Sequence, residues 1–387
     1  MKKWIFIVFC FIMKKWIFIV FCFILGFIIH IFYIGYTNEL LFNKFIKNSN
    51  PDYTITDIYF KKGFLTSKGS FTLNHSHTQL STKINLKFNN YFFLNKIIKG
   101  NFTNPFDFLD EVLKNNKLGT FTLKLHDNNS KIFLNIKDIN LSNEGGDTII
   151  NGGYIEALMN KNLEIKNIKI HFDMINFSQF YTKFVLQNLN YEQFFNNPVQ
   201  FYELNLFSNS QQEINFNYLM LDNNKINSFY SKNQVNFNEE NSTINLNIQG
   251  KSNEIDIDLK SLLGQNLNFD KTKFNITINK FLYSNFNISH FIQKNLDLEI
   301  QNLVLEKNKQ NISLQGNLNI NNSYQAKLQV ISSDEPDEIF PWTKDYGGLN
   351  QYFLKENNNF FLNLSYDNLA NPQLKINGSE FSNMDLN

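Results

Sequence analysis

Arginine is missing from this 387-residue chain, so all 36 of its cationic side chains other than histidine are lysines. The planar fork that reads guanine edges and clamps phosphates is therefore absent. Charge of either sign is also wanting: 36 cations face 35 carboxylates, for a net charge of +1, and no field draws the chain toward polyanions. Nucleic acid is not a partner this composition favours. Only two cysteines occur, Cys10 and Cys22, and nothing after residue 22 can form a disulfide. An exported protein of this length does not require one, because its core is large enough to hold without staples. No nucleophile elbow, phosphate loop or paired zinc motif is present. Serine and aspartate are so plentiful that a triad drawn from them carries no information. No catalytic, metal or cofactor-binding residue is assigned, and the chain is not expected to be an enzyme.

What is abundant is Phe, Asn, Ile and Lys, with 42 phenylalanines. These are residues of A- and T-rich codons, so genome bias accounts for them more cheaply than function does. Asn-x-Ser/Thr triplets such as Asn275-Ile276-Thr277 have the same origin.

The chain opens MKKWIFIVFCFIMKKWIFIVFCFIL, residues 1–12 recurring as 13–24. A spanning helix needs about 20 apolar residues, and two registers compete. Residues 4–24 and 16–36 each hold 14 strong apolar side chains, worth roughly −4 to −8 kcal/mol on insertion. The first must also offset about +5 to +7 kcal/mol for Lys14 and Lys15 at mid-membrane. The span is therefore expected at 16–36, with Trp16, Tyr33 and Tyr36 as interfacial aromatics. The first copy's apolar run, Trp4 to Met13, is too short to cross and reads as a tandem duplication, Met13 being an equally good start. His30 within the span reads as tolerated and neutral. No small residues mark a cleavage site near Phe32-Tyr33-Ile34-Gly35-Tyr36, so the segment is expected to stay as an anchor. Bulky Phe21 before Cys22 argues against a lipoprotein.

Residues 37–50 are expected to continue as a juxtamembrane helix ending before Asn50-Pro51. From there the period changes to two: 54–60, 69–73, 82–88, 119–125, 163–170, 242–248, 254–259, 273–278 and 325–330 alternate polar with apolar. Such alternation, joined by turns like Asp127-Asn-Asn and Asp222-Asn-Asn, predicts antiparallel meanders with one covered face. The fold class is thus mainly β: an N-terminal transmembrane helix, then an extended antiparallel β-sheet unit over 51–387 with a few short helices. Helical spacing is read at 106–113, 177–195 and 288–292, the second as the place where two lobes would part, near 175–195. His75 and His77 share a strand face but lack a third metal ligand. The acidic stretch Asp334-Glu-Pro-Asp-Glu338 reads as a solvated turn, without calcium-loop spacing.

Three stretches carry a likeness to a known group. They are Tyr33-Ile-Gly35-Tyr-Thr-Asn-Glu39 at the anchor exit, Tyr59-Phe-Lys-Lys62-Gly63-Phe-Leu-Thr-Ser67, and Leu364-Ser-Tyr366 followed by Leu374-Lys-Ile376-Asn377-Gly378. In these the chain resembles the YdgA-like family of bacterial envelope proteins, a domain of unknown function. Lys62 stands where that family has Arg, Asn371-Pro372 where it has Gly, and no His-Gly-Pro-Phe stretch occurs near residues 80–105. The resemblance implies a Gram-negative protein held in the inner membrane and facing the periplasm, with no established activity to carry over. In plan the chain is also similar to AsmA-like anchored β proteins, which implies an apolar groove for phospholipid as the alternative to a scaffold that binds another envelope protein. The lysine pair before the span leaves the N-terminus in the cytoplasm. A reporter enzyme fused after Asn387 should accordingly be active only when it works in the periplasm; cytoplasmic activity would refute this topology.

Overall fold

A computed structural model describes residues 2–47, 53–75, 81–91, 96–103, 117–126, 129–143, 146–179, 182–200, 208–238, 240, 243–260, 265–282, 296–320, 324–367 and 371–380. It is mainly β, an antiparallel meander with one N-terminal helix and a few short helical turns. The helix α1 runs unbroken over Lys2–Lys47, with Lys44 and Lys47 in its last turn where cations suit the helix dipole. Proline 51 forbids much further continuation. Among the described residues α1 alone is long and apolar enough to cross a membrane.

The chain divides into two compact units. The first comprises residues 1–137 and 158–163. In it β1 (Tyr53–Lys61), β2 (Thr66–His75), β3 (Ser81–Asn89), β4 (Lys96–Thr103), β5 (Lys117–Leu125) and β6 (Ser130–Ile136) pair in sequence order, each antiparallel to the next. Register stacks Phe71 beside Ile84 and Phe88 beside Ile98, so one sheet face is apolar. The C-terminal half of α1 lies on that face. Phe42 is 2% exposed and packs with Phe71, Phe88 and Ile98, while Leu41, Ile46, Ile55 and Phe60 close the rim. Its ring sits 5.1 Å from that of Phe60 and stands edge-on to Phe88 at 6.4 Å.

The second unit comprises residues 138–157 and 164–387 and includes β7 (Ile139–Asn143), β8 (Gly146–Asn151), most of β9 (Tyr154–Met159) and the short β19 (Leu354–Glu356). Its strands β10 (Ile165–Gln179), β11 (Thr182–Val199), β12 (Ser210–Leu221), β13 (Asn224–Asn238), β14 (Thr243–Leu259), β15 (Gln265–Leu282), β16 (Leu296–Lys307), β17 (Gln310–Ile320) and β18 (Tyr324–Ser332) again follow chain order. β20 (Asn359–Asp367) pairs with β18, and β21 (Asn371–Ile376) with β20. Asparagine makes the tight turns: Asn308-Lys309, Asn357-Asn358 and Asn377-Gly378 all take positive φ at both positions, the two-residue geometry whose twist matches paired strands. Asn377-Gly378 joins β21 to the short β22 (Ser379–Glu380).

One expected helix is a correction. Residues 177–179 form the end of β10 and 182–195 most of β11, paired register by register from Phe177↔Phe184 to Asn167↔Phe194. Val185, Leu189, Tyr191 and Phe195 share one face with Gln187 and Gln193, while Phe184, Leu186 and Phe194 lie on the other. Glutamines facing inward and phenylalanines facing outward blur the two-residue period into a helical one. The stretches 242–248 and 254–259, read as two strands, are the two ends of β14, with Glu254 at φ 46° where the register shifts between them. The segments 106–113 and 288–292 and the turn at 127–128 lie outside the described residues.

Because Phe42 is the plug between helix and sheet, Phe42→Ala should cost about 3–5 kcal/mol. Thermal unfolding of the detergent-solubilised chain reads this as a lowered midpoint and as early proteolysis within residues 53–103.

Candidate functional site

Two arrangements of side chains stand out. The first is the junction of α1 with the β1–β2 turn. Asn90, fully buried, holds the turn with its amide: it donates to the Gly63 carbonyl at 2.7 Å and the Phe64 carbonyl at 3.3 Å, and its Oδ1 accepts from Asn38 of α1 at 2.9 Å. The buried Ser67 hydroxyl lies 3.1 Å from the same amide. The Asn90 backbone N–H donates to the Leu65 carbonyl at 2.9 Å. Helix and turn can come this close because Gly35 faces Asn90, where an added Cβ would sit 3.4 Å from its Nδ2. Gly69 serves the same end below, its missing Cβ leaving room for the Phe42 ring at 2.8 Å. Above the junction Lys62 pairs with Glu39 at 2.5 Å and lies over the Tyr36 ring at 5.4 Å.

Thus Gly35, Tyr36, Lys62, Gly63 and Ser67, singled out in the sequence, meet at one place. Tyr59 is exposed on β1, and Tyr33 is exposed on α1. Lys14, Lys15 and Trp16 lie on α1, their side chains outside the described residues. Tyr366, Asn377 and Gly378 belong to the second unit. Tyr366 pairs with Ala326, and Asn377 ties β20 to Tyr352, exchanging bonds with Asn363 at 2.8 and 2.9 Å and donating to the Tyr352 carbonyl at 2.7 Å. Asn90, which no motif marked, and Asn38, which lies in the first of the three stretches but was not singled out there, are hidden by the abundance of asparagine.

The second arrangement is the sheet face of the second unit. Through β14, β15, β16, β17, β18 and β20 the register aligns Ile248, Ile276, Ile300, Gly316, Leu328 and Leu364 in one row. The adjoining row reads Gly250, Phe274, Leu303, Leu314, Val330 and Leu362. Every side chain in these two rows is half-buried, and none reaches the core. Phe216, Phe229 and Phe274 stack across the sheet at 4.7 and 5.9 Å, the last passing over Gly250. The opposite face is a ladder of amides and hydroxyls. Gln315, Gln329 and Asn363 bond in series at 2.5 and 3.0 Å, as do Asn275, Gln301 and Thr277 at 2.5 and 3.3 Å.

His171 is a rung of that ladder. Its Nε2 lies 2.9 Å from Asp173 and its Nδ1 2.7 Å from Asn190, which continues to Asn215 at 3.0 Å. Both ring nitrogens are engaged, and Tyr154 stacks on the ring at 5.0 Å. Among the described residues no three His, Cys, Asp or Glu groups gather as a metal site would need. His77 and His290 fall outside the described residues, as does the His75 side chain. A polar cleft of about 360 Å³ at the β12–β13 and β14–β15 ends sets Lys183, Lys225 and Lys260 against Asp222, Asp256 and Asp258, so its charges cancel.

The acidic stretch at 334–338 is a correction too, because it is not a solvated turn. Pro336–Ile339 form a helical turn, α2, and Asp337 is only 7% exposed. Its carboxylate accepts from the Thr343 hydroxyl at 2.6 Å, the Leu349 N–H at 2.5 Å and the Asn350 N–H at 3.3 Å. Burial works against this charge, but the Thr343 hydroxyl and the two N–H donors, with Lys344 nearby, outweigh it and hold the carboxyl below its usual range. The segment docks where β18 leaves the sheet, through buried Ile339 and through Phe340, edge-on to Phe269 of β15 at 6.2 Å.

Fold and face together define a β-meander protein with an apolar N-terminal helix and a half-open apolar sheet. No family model matches the chain, and no curated protein or solved structure is significantly similar to it.

A depressed carboxyl stabilises the folded state above the unfolded value of about 3.9 and ceases to do so as pH falls through its own lower value. Asp337→Asn should therefore lose roughly 1–3 kcal/mol at pH 7. The gap between mutant and wild-type melting temperatures should narrow below about pH 4; a gap unchanged at pH 3 would contradict this role.

Proposed function

We propose that this is a non-enzymatic, membrane-anchored protein of the Gram-negative envelope whose second unit cradles phospholipid acyl chains on its open face. The helix α1 anchors it in the inner membrane and the β units lie in the periplasm, in keeping with the lysine pair before the span and the resemblance to the YdgA-like family. The single observation that carries the lipid reading is that the two apolar rows from β14 to β20 stay partly exposed, none of their side chains being fully buried. Soluble monomers rarely leave a contiguous apolar patch larger than a few hundred Å² uncovered. Here six strands at about 4.8 Å spacing make a face about 24 Å wide, against the roughly 15 Å that one leaflet's chains occupy. The rows contain no charged residue, and their aliphatic side chains suit acyl chains, which offer nothing to hydrogen-bond.

On sequence alone a scaffold for another envelope protein ranks ahead of a groove, because most sheets cover themselves. The partial exposure of the two rows favours the groove. In the first unit the corresponding face is filled by Phe42 and its neighbours, so the test needs the whole chain rather than the exported part.

Mass spectrometry of organic extracts from the full chain, purified in a lipid-free mild detergent, should find about one phospholipid or more per chain. The pair Ile276→Asp and Leu314→Asp should lower this several-fold while leaving the melting temperature within a few degrees. Extracts from the wild type no richer than those of an unrelated single-span protein would remove the lipid reading and direct attention to a protein partner.

A further inference from the structure

We infer that the β1–β2 turn is a second membrane-contacting element: Phe64 and Leu65, with Tyr91 beside them, enter the interfacial layer of the bilayer next to α1. This rests on the reading of α1 as a membrane anchor and adds to it. The first observation is exposure. Phe64 is 50%, Leu65 49% and Tyr91 39% exposed, large apolar side chains at the tip of a turn that water would not favour.

The second is continuity with the helix. Phe64 meets the exposed Phe32 of α1 edge-on, 6.1 Å between ring centroids. Tyr33 and Tyr36 on the same turn of helix are 65% and 52% exposed. The patch is thus an extension of the apolar helix surface onto the sheet. It is also fixed there, since Asn90 bonds the Gly63, Phe64 and Leu65 carbonyls while its Oδ1 takes the Asn38 amide.

Height along the helix gives the third. From Lys15, at the near border, to Phe32 is about 26 Å and to Tyr36 about 32 Å at 1.5 Å per residue. A hydrocarbon core of about 30 Å therefore ends between them, at the level of the Phe32–Phe64 contact. Just beyond it the polar groups begin: Lys62, paired with Glu39, lies over Tyr36 with its charge toward water. Aromatics at the boundary and a lysine above it are the order expected of an interface. Ile31, Ile34, Asn38 and Phe42 meanwhile face protein, so over the last turn within the bilayer, from Ile31 to about Tyr36, one side of α1 has sheet and the other has lipid.

The experiment places a nitroxide on the full chain carrying Cys10→Ser and Cys22→Ser, reconstituted in phosphatidylcholine nanodiscs. Labels go at Phe64→Cys, at Leu65→Cys as a second probe of the turn, at Phe27→Cys on the exposed helix side, and at Lys309→Cys in the exposed β16–β17 turn. Relative accessibility to oxygen over a nickel chelate should be several-fold higher at 64 and 65 than at 309, approaching that at 27. Lipid-like values at 27 with values at 64 and 65 equal to those at 309 would overturn the inference and leave the anchor standing. Water-like values at 27 would remove the anchor and the inference with it.

Discussion

The contact of Phe42 with the bare backbone of Gly69 governs the first unit. A ring can lie flat on a sheet only where a strand presents no side chain, and at Gly69 the Phe42 ring comes to 2.8 Å from where a Cβ would be. This seats α1 deep enough for Gly35 to reach Asn90, and Asn90 then has partners on two pieces of chain, α1 and the β1–β2 turn, both far from it in sequence. Apolar packing and polar satisfaction depend on each other here. A buried amide without partners would give back about 1–3 kcal/mol of what the packing gains, while the packing alone would not fix which way the helix faces. The helix therefore enters the sheet at one angle and one height.

Much of this was legible in outline. Alternation such as Thr82-Lys-Ile-Asn-Leu-Lys-Phe88 reads directly as β3, because one face is wet and the other is not. The segment 177–195 was not legible, because Gln187 and Gln193 sit on the inward face and Phe194 on the outward one. Gln193 is buried yet satisfied, donating to the Ser210 hydroxyl at 3.0 Å and accepting from Tyr191 at 2.9 Å. Burial pushes the Tyr191 phenol up. A pattern argument sees only polarity, and polarity inside a sheet is decided by partners on other strands.

The sites divide in the same way. Gly35, Lys62, Gly63 and Ser67 could be picked out by motif, and they do converge. Asn90 could not, and Asn38 went unremarked inside the first stretch, since a chain so rich in asparagine gives no sign of which one is buried. Asp337 misleads for a related reason. Flanked by Asp334, Glu335 and Glu338 it looks solvated, and only Thr343, Leu349 and Asn350, six to thirteen residues later, supply the donors that let it go under.

The two units share a problem and meet it differently. A one-sided sheet has an apolar face that must be removed from water, and in the first unit the C-terminal part of α1 supplies a cover in cis. In the second, the described helical pieces are the four-residue α2 and two short 3₁₀ turns, Pro341–Tyr346 and Asn350–Tyr352. These hold one end, where β18 departs. The amide ladder on the far face adds to the sheet's own cohesion, because each rung ties neighbouring strands by side chains as well as backbone. What the ladder cannot do is dry the rows from Ile248 to Leu364. On the anchoring proposed above, acyl chains lie at hand, and a face of isoleucine, leucine and phenylalanine without a charge accepts them at no cost in unpaired polar groups.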